Sequence, residues 1–261
     1  FQSFEGSTTI FVNVDGYSGN KIGGSRAAHW MLLETAFSSL DTKKGGGLWL
    51  THNEHPLINQ TGRATIKNTR ENGIFVFIAN RASDILQALA FSKKHQLKAI
   101  ISGGQEAWVV REALAASGTP VVINALDNLP GSFDALGARL DNATLLHAAG
   151  VTLLFTSGET HNARKLRQVA GNAVANGLPY EVAMAAMTSL PAEIFGGKSR
   201  MIAPGLRADL VIWSGDPLDV NSAADQVIID GKLDPMTSRQ TELLKRYLPT
   251  EAGLGRAYIN P

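Results

Sequence analysis

Short apolar runs alternate with amphipathic segments from residue 73 to residue 177. The runs are rich in β-branched and aromatic residues, which favours strands, and the segments between them carry apolar residues at helical spacing. The predicted strands are GIFVFIAN (73–80), LKAIISGG (97–104), TPVVINAL (119–126) and VTLLFTS (151–157). The predicted helices are SDILQALAFSKKHQ (83–96, with Ser83 as N-cap), EAWVVREALAASG (106–118), NATLLHAAG (142–150) and ARKLRQVAGNAVANG (163–177).

These four strand–helix units predict a parallel sheet covered by helices, because strands buried on both faces read as continuous apolar runs. The spacing suits a (β/α) barrel or a doubly wound sheet. No G-x-G-x-x-G follows a predicted strand, so a dinucleotide fold is the weaker choice. We expect the strands to be adjacent in chain order, with right-handed crossovers.

The flanking regions have a different character. STTIFVNVDG predicts a further strand and SRAAHWMLLETAFSSL a helix, while ADLVIW (208–213) and QVIIDGK (226–232) predict a small antiparallel module. PYEVAMAAMTSLPAEIFG and SRQTELLKRYL are predicted helices. The predicted division is an N-terminal part (1–72), barrel units (73–200), a small β module (201–235) and a terminal helix with a tail (236–261).

Composition narrows the classes of function. The net charge of +1 is spread over interspersed acids and bases, so nothing points to nucleic acid or a membrane surface as a partner. The chain has no cysteine, which excludes thiol catalysis and thiolate metal ligands. Neither observation indicates a cellular location.

The stretch GLPYEVAMAAMTSLPAEIFGGKSRMIAPGLRADLVIWSGDPLDVNSAADQVIIDGK (177–232) resembles the end of the amidohydrolase superfamily, particularly its imidazolonepropionase-like branch. The resemblance extends upstream through ISGGQEAW and IANRASDI to about residue 73. It implies an α/β fold: the later part of a (β/α)8 TIM-type barrel plus part of a small C-terminal β-sandwich. Because the chain opens at Phe1 without a Met, we expect a missing N-terminal segment, or another chain, to complete the barrel.

The resemblance also implies a divalent metal such as zinc, held by histidines and an aspartate, that activates water. In this chain the family's histidine positions fall on Ile78, Asn80 and Gly103, and its aspartate position falls on Gly158. Glycine and isoleucine cannot ligate a metal, and a neutral asparagine oxygen is a poor zinc ligand. We therefore predict that residues 73–261 alone hold no tightly bound zinc. If the missing segment supplies two histidines, Glu159 or His161 would complete a reduced mononuclear site.

Two acid–imidazole groupings stand outside the family pattern. In FTSGETHNARKL, Glu159 and His161 are the candidate catalytic residues; the alternative is a helix start with Thr160 or Asn162 as N-cap. In THNEHP (51–56), His52, Glu54 and His55 lack metalloprotease spacing, and we interpret them as a solvated loop.

Polar residues after two predicted strands are candidate substrate-binding groups. Asn80 and Arg81 follow one strand, and Asn124 and Asp127 follow another. Arg81 could instead form a structural ion pair with Asp84, and Asn124 with Asp127 could simply make an Asx turn. We expect all of these residues, with Glu159 and His161, to surround one cleft.

The resemblance favours a hydrolase acting on non-peptide C–N bonds of cyclic amides or on dipeptide bonds, with a reduced or lost metal site. The alternative is a catalytically inactive amidohydrolase-like scaffold or ligand-binding subunit, since a fold does not by itself determine function. We expect a small-molecule substrate and a homo-oligomer. We expect no nucleic-acid partner and no membrane partner.

Overall fold

The computed structural model describes residues 9–41, 58–197 and 201–247. The chain forms two compact units: residues 1–201 together with 218–220, and residues 202–217 together with 221–261. Within the described ranges, no helix is both long and apolar enough to cross a membrane. The segment THNEHP lies outside the described residues.

A five-stranded sheet forms the centre of the first unit. Its strands are β1 (Thr9–Asn13), β2 (Ile74–Ala79), β3 (Ala99–Gly103), β4 (Val121–Ile123) and β5 (Leu153–Phe155). The spatial order is β1-β2-β3-β4-β5, and every neighbouring pair is parallel. The four predicted strands are therefore confirmed as parallel and adjacent in chain order, and STTIFVNVDG supplies a fifth.

The helices follow the amphipathic segments. Those of the first unit are α1 (Gly16–Lys21), α2 (Arg26–Asp41), α3 (Gln60–Asn72), α4 (Ala82–His95), α5 (Arg111–Ser117), α6 (Asn142–Ala148), α7 (Leu166–Ala175), α8 (Tyr180–Met187) and α9 (Ser189–Phe195). Helices α5 and α7 are each preceded by a 3-10 turn, Ala107–Val110 and Thr160–Lys165. The predicted helix 179–196 is two helices, α8 and α9, that meet at Thr188.

One face of the sheet packs on an aromatic cluster. Phe75 and Phe77 are buried, and Phe91 of α4 packs against Phe77 at a ring-centroid distance of 6.1 Å. The ring centroids of Trp30 and Phe37 of α2 lie 5.6 Å and 4.9 Å from that of Phe91. The Phe91 ring of α4 therefore packs against both α2 and the sheet. Alternate residues of β2 and β3, namely Ile74, Val76 and Ile100, form a smaller cluster on the opposite face.

The start of α4 differs from the prediction. The helix begins at Ala82, Arg81 occupies the N-cap position without a side-chain cap bond, and Ser83 is exposed within the first turn. The N–H of Ala82 donates to Glu106 Oε2 at 3.1 Å. The prediction of Ser83 as the N-cap was wrong, because Glu106 of the next strand–helix unit accepts the first N–H of the helix.

The second unit contains an antiparallel sheet of β6 (Leu210–Trp213), β7 (Ala224–Ile229) and β8 (Lys232–Leu233), followed by α10 (Arg239–Tyr247). The two predicted strands and the terminal helix are confirmed, and β8 completes a hairpin with β7 through Gly231, whose φ is +75°.

We predict that Phe91→Ala lowers the free energy of unfolding by about 3–5 kcal/mol, because it removes the ring that joins α2, α4 and the sheet and leaves a cavity. Phe133→Ala is the matched control, since that ring is 88% exposed. Urea unfolding followed by circular dichroism checks both changes. Equal losses in the two variants would contradict this description of the core.

Candidate functional site

The carboxyl ends of β1 to β5 lie along one edge of the sheet, because the strands are parallel. In α/β proteins this edge is where ligands bind. The predicted site residues follow β2, β4 and β5 in pairs: Asn80 with Arg81, Asn124 with Asp127, and Glu159 with His161. All three pairs therefore lie at the same end of the sheet, although direct contacts join only some of these residues.

Asn124 and Asp127 are in direct contact. Asn124 Nδ2 donates to Asp127 Oδ2 at 2.8 Å, and Asn124 Oδ1 accepts from the N–H of Leu126 at 3.2 Å. These bonds form the Asx turn that was the alternative to a binding role. A side-chain carbon at Gly158 would lie 4.0 Å from Asn124 Nδ2, so the turn adjoins the loop that follows β5. Its role in binding stays a prediction.

The Asn80 carboxamide occupies the space beside Gly103. A Cβ atom at Gly103 would lie only 2.4 Å from Asn80 Oδ1, and the glycine has a φ of +99°. Asn80 Oδ1 is buried and accepts no hydrogen bond from any described residue. Such an unpaired buried acceptor is rare in folded proteins.

The described residues do not fit a zinc ion. They contain no group of three or more histidine, aspartate or glutamate side chains placed to hold a metal. Protein zinc sites use at least three such ligands. At the positions where the resemblance places ligands, the structure has Ile78, Gly158 and Gly103. A Cβ atom at residue 103 would meet the Asn80 carboxamide, which would have to move. The side chains at this edge therefore differ from the metal centre that the resemblance implies.

Glu159 and His161 are exposed, and neither side chain forms a hydrogen bond or ion pair with another described residue. Glu159 has extended backbone angles and occupies the N-cap position of the 3-10 turn Thr160–Lys165, without a side-chain cap bond. The alternative caps Thr160 and Asn162 were therefore wrong, because both residues lie inside the turn. Both titratable groups are accessible to solvent, and their catalytic role stays a prediction.

Arg26, rather than Arg81, forms the ion pair with Asp84. Arg26 Nε lies 3.0 Å from Asp84 Oδ2, and its Nη2 pairs with Asp134 Oδ1. Arg81 is half-buried, and its charge acts on both carboxylates from a greater distance. The ion pair of Arg81 with Asp84, which was the alternative to a binding role, does not form among the described residues, because Arg26 is the partner of Asp84.

The two carboxylates of this cluster differ in pKa. Burial of Asp84, which is 4% exposed, raises its pKa despite the nearby Arg26 and Arg81. Burial also disfavours the charged form of Asp134, but the N–H of Gly16 and the Arg26 guanidinium together lower the Asp134 pKa. Asp134 therefore carries the more strongly stabilised charge of the two.

Sequence reasoning missed Glu106. Its Oε1 accepts the N–H of Gly137 at 2.9 Å, and its Oε2 accepts the N–H of Ala82 at 3.1 Å. A glutamate between a Gly-Gly strand end and a helix is the signal that could have identified it.

Arg26 and Asp134 were also missed. An arginine at the first position of α2 opposes the helix dipole, which indicates a nearby acid. No comparable signal marks Asp134 within its loop.

Comparison with known proteins agrees with this architecture. Residues 123–233 match the family model described as the amidohydrolase family. Amidohydrolase tasK of Hapsidospora irregularis is 33% identical over 115 residues, which are 43% of this chain and 12% of that protein. Residues 123–233 are therefore similar to the amidohydrolase superfamily.

The amidohydrolase structure from Thermotoga maritima MSB8 superimposes with a TM-score of 0.73 at 22% identity. The match covers 87% of this chain and 62% of that chain. The likeness confirms the predicted fold: a parallel α/β sheet of the partial TIM-barrel type with a small antiparallel sheet. The imidazolonepropionase-like branch stays a prediction.

We predict that Gly103→Ala destabilises the protein more than Gly118→Ala. Both residues have positive φ, which costs alanine about 1–2 kcal/mol. Nothing lies within 4 Å of a Cβ at Gly118, whereas a Cβ at Gly103 must displace Asn80. The clash adds about 1–3 kcal/mol.

Adding Asn80→Ala to Gly103→Ala should restore the part of the free energy of unfolding that the clash removes, as measured by urea unfolding. If the double variant is no more stable than Gly103→Ala, the Asn80 carboxamide does not occupy this space.

Proposed function

We propose that this chain belongs to a hydrolase that cleaves the C–N bond of a cyclic amide or a dipeptide at the carboxyl edge of β1 to β5, with a reduced metal site. The match of residues 123–233 to the amidohydrolase family supports hydrolysis, and the edge carries hydrogen-bonding groups that an amide substrate needs. The chain spans 62% of the Thermotoga maritima amidohydrolase, so the activity of the whole protein is part of the proposal.

The unpaired oxygen of Asn80 is the observation that carries the proposal. Asn80 Oδ1 is buried at the carboxyl end of β2 and has no donor among the described residues. An amide N–H of the substrate would satisfy this acceptor, and a buried acceptor discriminates strongly against ligands without the matching donor. The scissile bond would then lie beside Gly103, where no side chain intervenes.

Glu159 and His161 are the proposed proton carriers. Hydrolysis requires a base that takes a proton from water as oxygen attacks the carbonyl carbon, and an acid that protonates the leaving nitrogen as the C–N bond breaks. An exposed carboxylate and imidazole next to the same edge could fill both roles. Arg81 would pair with a substrate or product carboxylate, since guanidinium binds carboxylate well.

We predict that the purified protein hydrolyses at least one member of a panel of hydantoin, dihydrouracil and dipeptides, measured as amine release or ring opening with EDTA and with added zinc. Asn80→Ala should lower kcat/KM about tenfold, because the substrate loses a hydrogen bond of order 1.4 kcal/mol. Asn72→Ala, an exposed asparagine of α3, is the control. Absence of product under every condition would contradict the proposal.

We further predict that Glu159→Gln abolishes turnover without changing the unfolding midpoint, because the side chain is exposed and has no described partner. Glu193→Gln, an exposed change on α9, should retain full activity. Wild-type rates in Glu159→Gln would remove this residue from the mechanism and leave His161 to be tested in the same way.

A further inference from the structure

The loop between β4 and α6, residues 124–141, is unusually long for a compact domain. Loops beyond about 12–15 residues without regular structure are uncommon and usually functional. Its large apolar side chains do not hold it in place, because they are exposed. They are Leu126, Leu129, Phe133, Leu136 and Leu140, with exposures from 45% to 88%. The position of the 124–141 loop must therefore depend largely on polar contacts.

The first set of contacts centres on Asp134. Its Oδ2 accepts the N–H of Gly16 at 2.9 Å, and its Oδ1 pairs with Arg26. Arg26 also binds the buried Asp84 of α4 at 3.0 Å. Asp134 thus joins the loop to the segment that follows β1 and, through Arg26, to the segment that follows β2.

The second set of contacts centres on Gly137. Its N–H donates to Glu106 Oε1 at 2.9 Å, and its carbonyl accepts from Trp108 Nε1 at 2.7 Å. Both partners belong to the segment that follows β3. The other oxygen of Glu106 binds the first N–H of α4, so this carboxylate is itself held in place.

The two sets of contacts connect one loop to the segments following β1, β2 and β3, while the loop itself follows β4 and begins with Asn124. We propose that Asp134 and Glu106 are positioning residues that hold the 124–141 loop as a fixed wall of the site at the carboxyl edge. The role of that wall in substrate binding rests on the proposed function, whereas the fixed position of the loop is independent of it.

Hydrogen–deuterium exchange tests the fixed position. Asp134→Asn should raise the exchange rate of amides in the 124–141 loop about tenfold, because a bond to a charged group is lost, and leave β2 and β3 unchanged. Asp134→Glu, which keeps the charge, should give an intermediate rate. Asp141→Asn is the matched control, since the Asp141 carboxylate pairs with Arg139 of the same loop and not with another segment.

Trp108→Phe provides a second variant in case Asp134→Asn does not fold. It keeps an aromatic ring beneath Arg139 and removes the donor to the Gly137 carbonyl. Faster exchange confined to the loop is expected here as well. Unchanged loop exchange in the variants, or a parallel increase in β2 and β3, would overturn the proposal.

The role of the wall is tested with whichever amide the wild-type protein hydrolyses. Asp134→Asn should raise KM at least fivefold and change kcat less, because a mobile wall weakens binding without removing a proton carrier, whereas Asp141→Asn should change neither. A looser loop with unchanged KM would overturn the role in binding. If the wild type hydrolyses none of the amides, the proposed function fails, and the exchange experiment still decides the position of the loop.

Discussion

Parallel pairing of β1 to β5 is the constraint on which the rest of the first unit depends. It brings every carboxyl strand end to one edge, so residues far apart in the chain, such as Asn80 and Asn124, face the same region. It also requires each strand to be followed by a crossover, and the helices of these crossovers bury the aromatic cluster around Phe91. The location of the candidate site and the composition of the core are both consequences of strand direction.

Carboxylates organise the edge that this pairing creates. Glu106 and Asp134 each accept a backbone N–H from a different loop or helix start, and Asp84 binds the arginine that also holds Asp134. Charge-assisted bonds of this kind are stronger than neutral ones, and they satisfy backbone donors that helix starts leave unpaired. These acidic residues therefore hold the backbone in place, whereas the Glu159 side chain makes no such contact among the described residues.

The Asn80–Gly103 contact shows how this chain differs from the pattern that its resemblance to amidohydrolases implies. An asparagine carboxamide fills the space that a side chain at residue 103 would need, and its buried oxygen has no donor among the described residues. The same contact therefore disfavours a histidine ligand and provides a hydrogen-bond acceptor. In the proposed function, this acceptor binds an amide N–H of the substrate.

The sequence by itself determined the strands, most helices and the parallel order, because apolar periodicity is a local signal. Its motifs near residues 177–232 carried the resemblance to the amidohydrolase superfamily for the same reason. It also placed Asn80, Arg81, Asn124, Asp127, Glu159 and His161 after strand ends. Only the tertiary structure decided that Arg26 rather than Arg81 pairs with Asp84. It also decided that Glu106 rather than Ser83 accepts the first N–H of α4. Those choices depend on which side chains meet across 58 and 24 residues of chain, and no local pattern encodes such contacts.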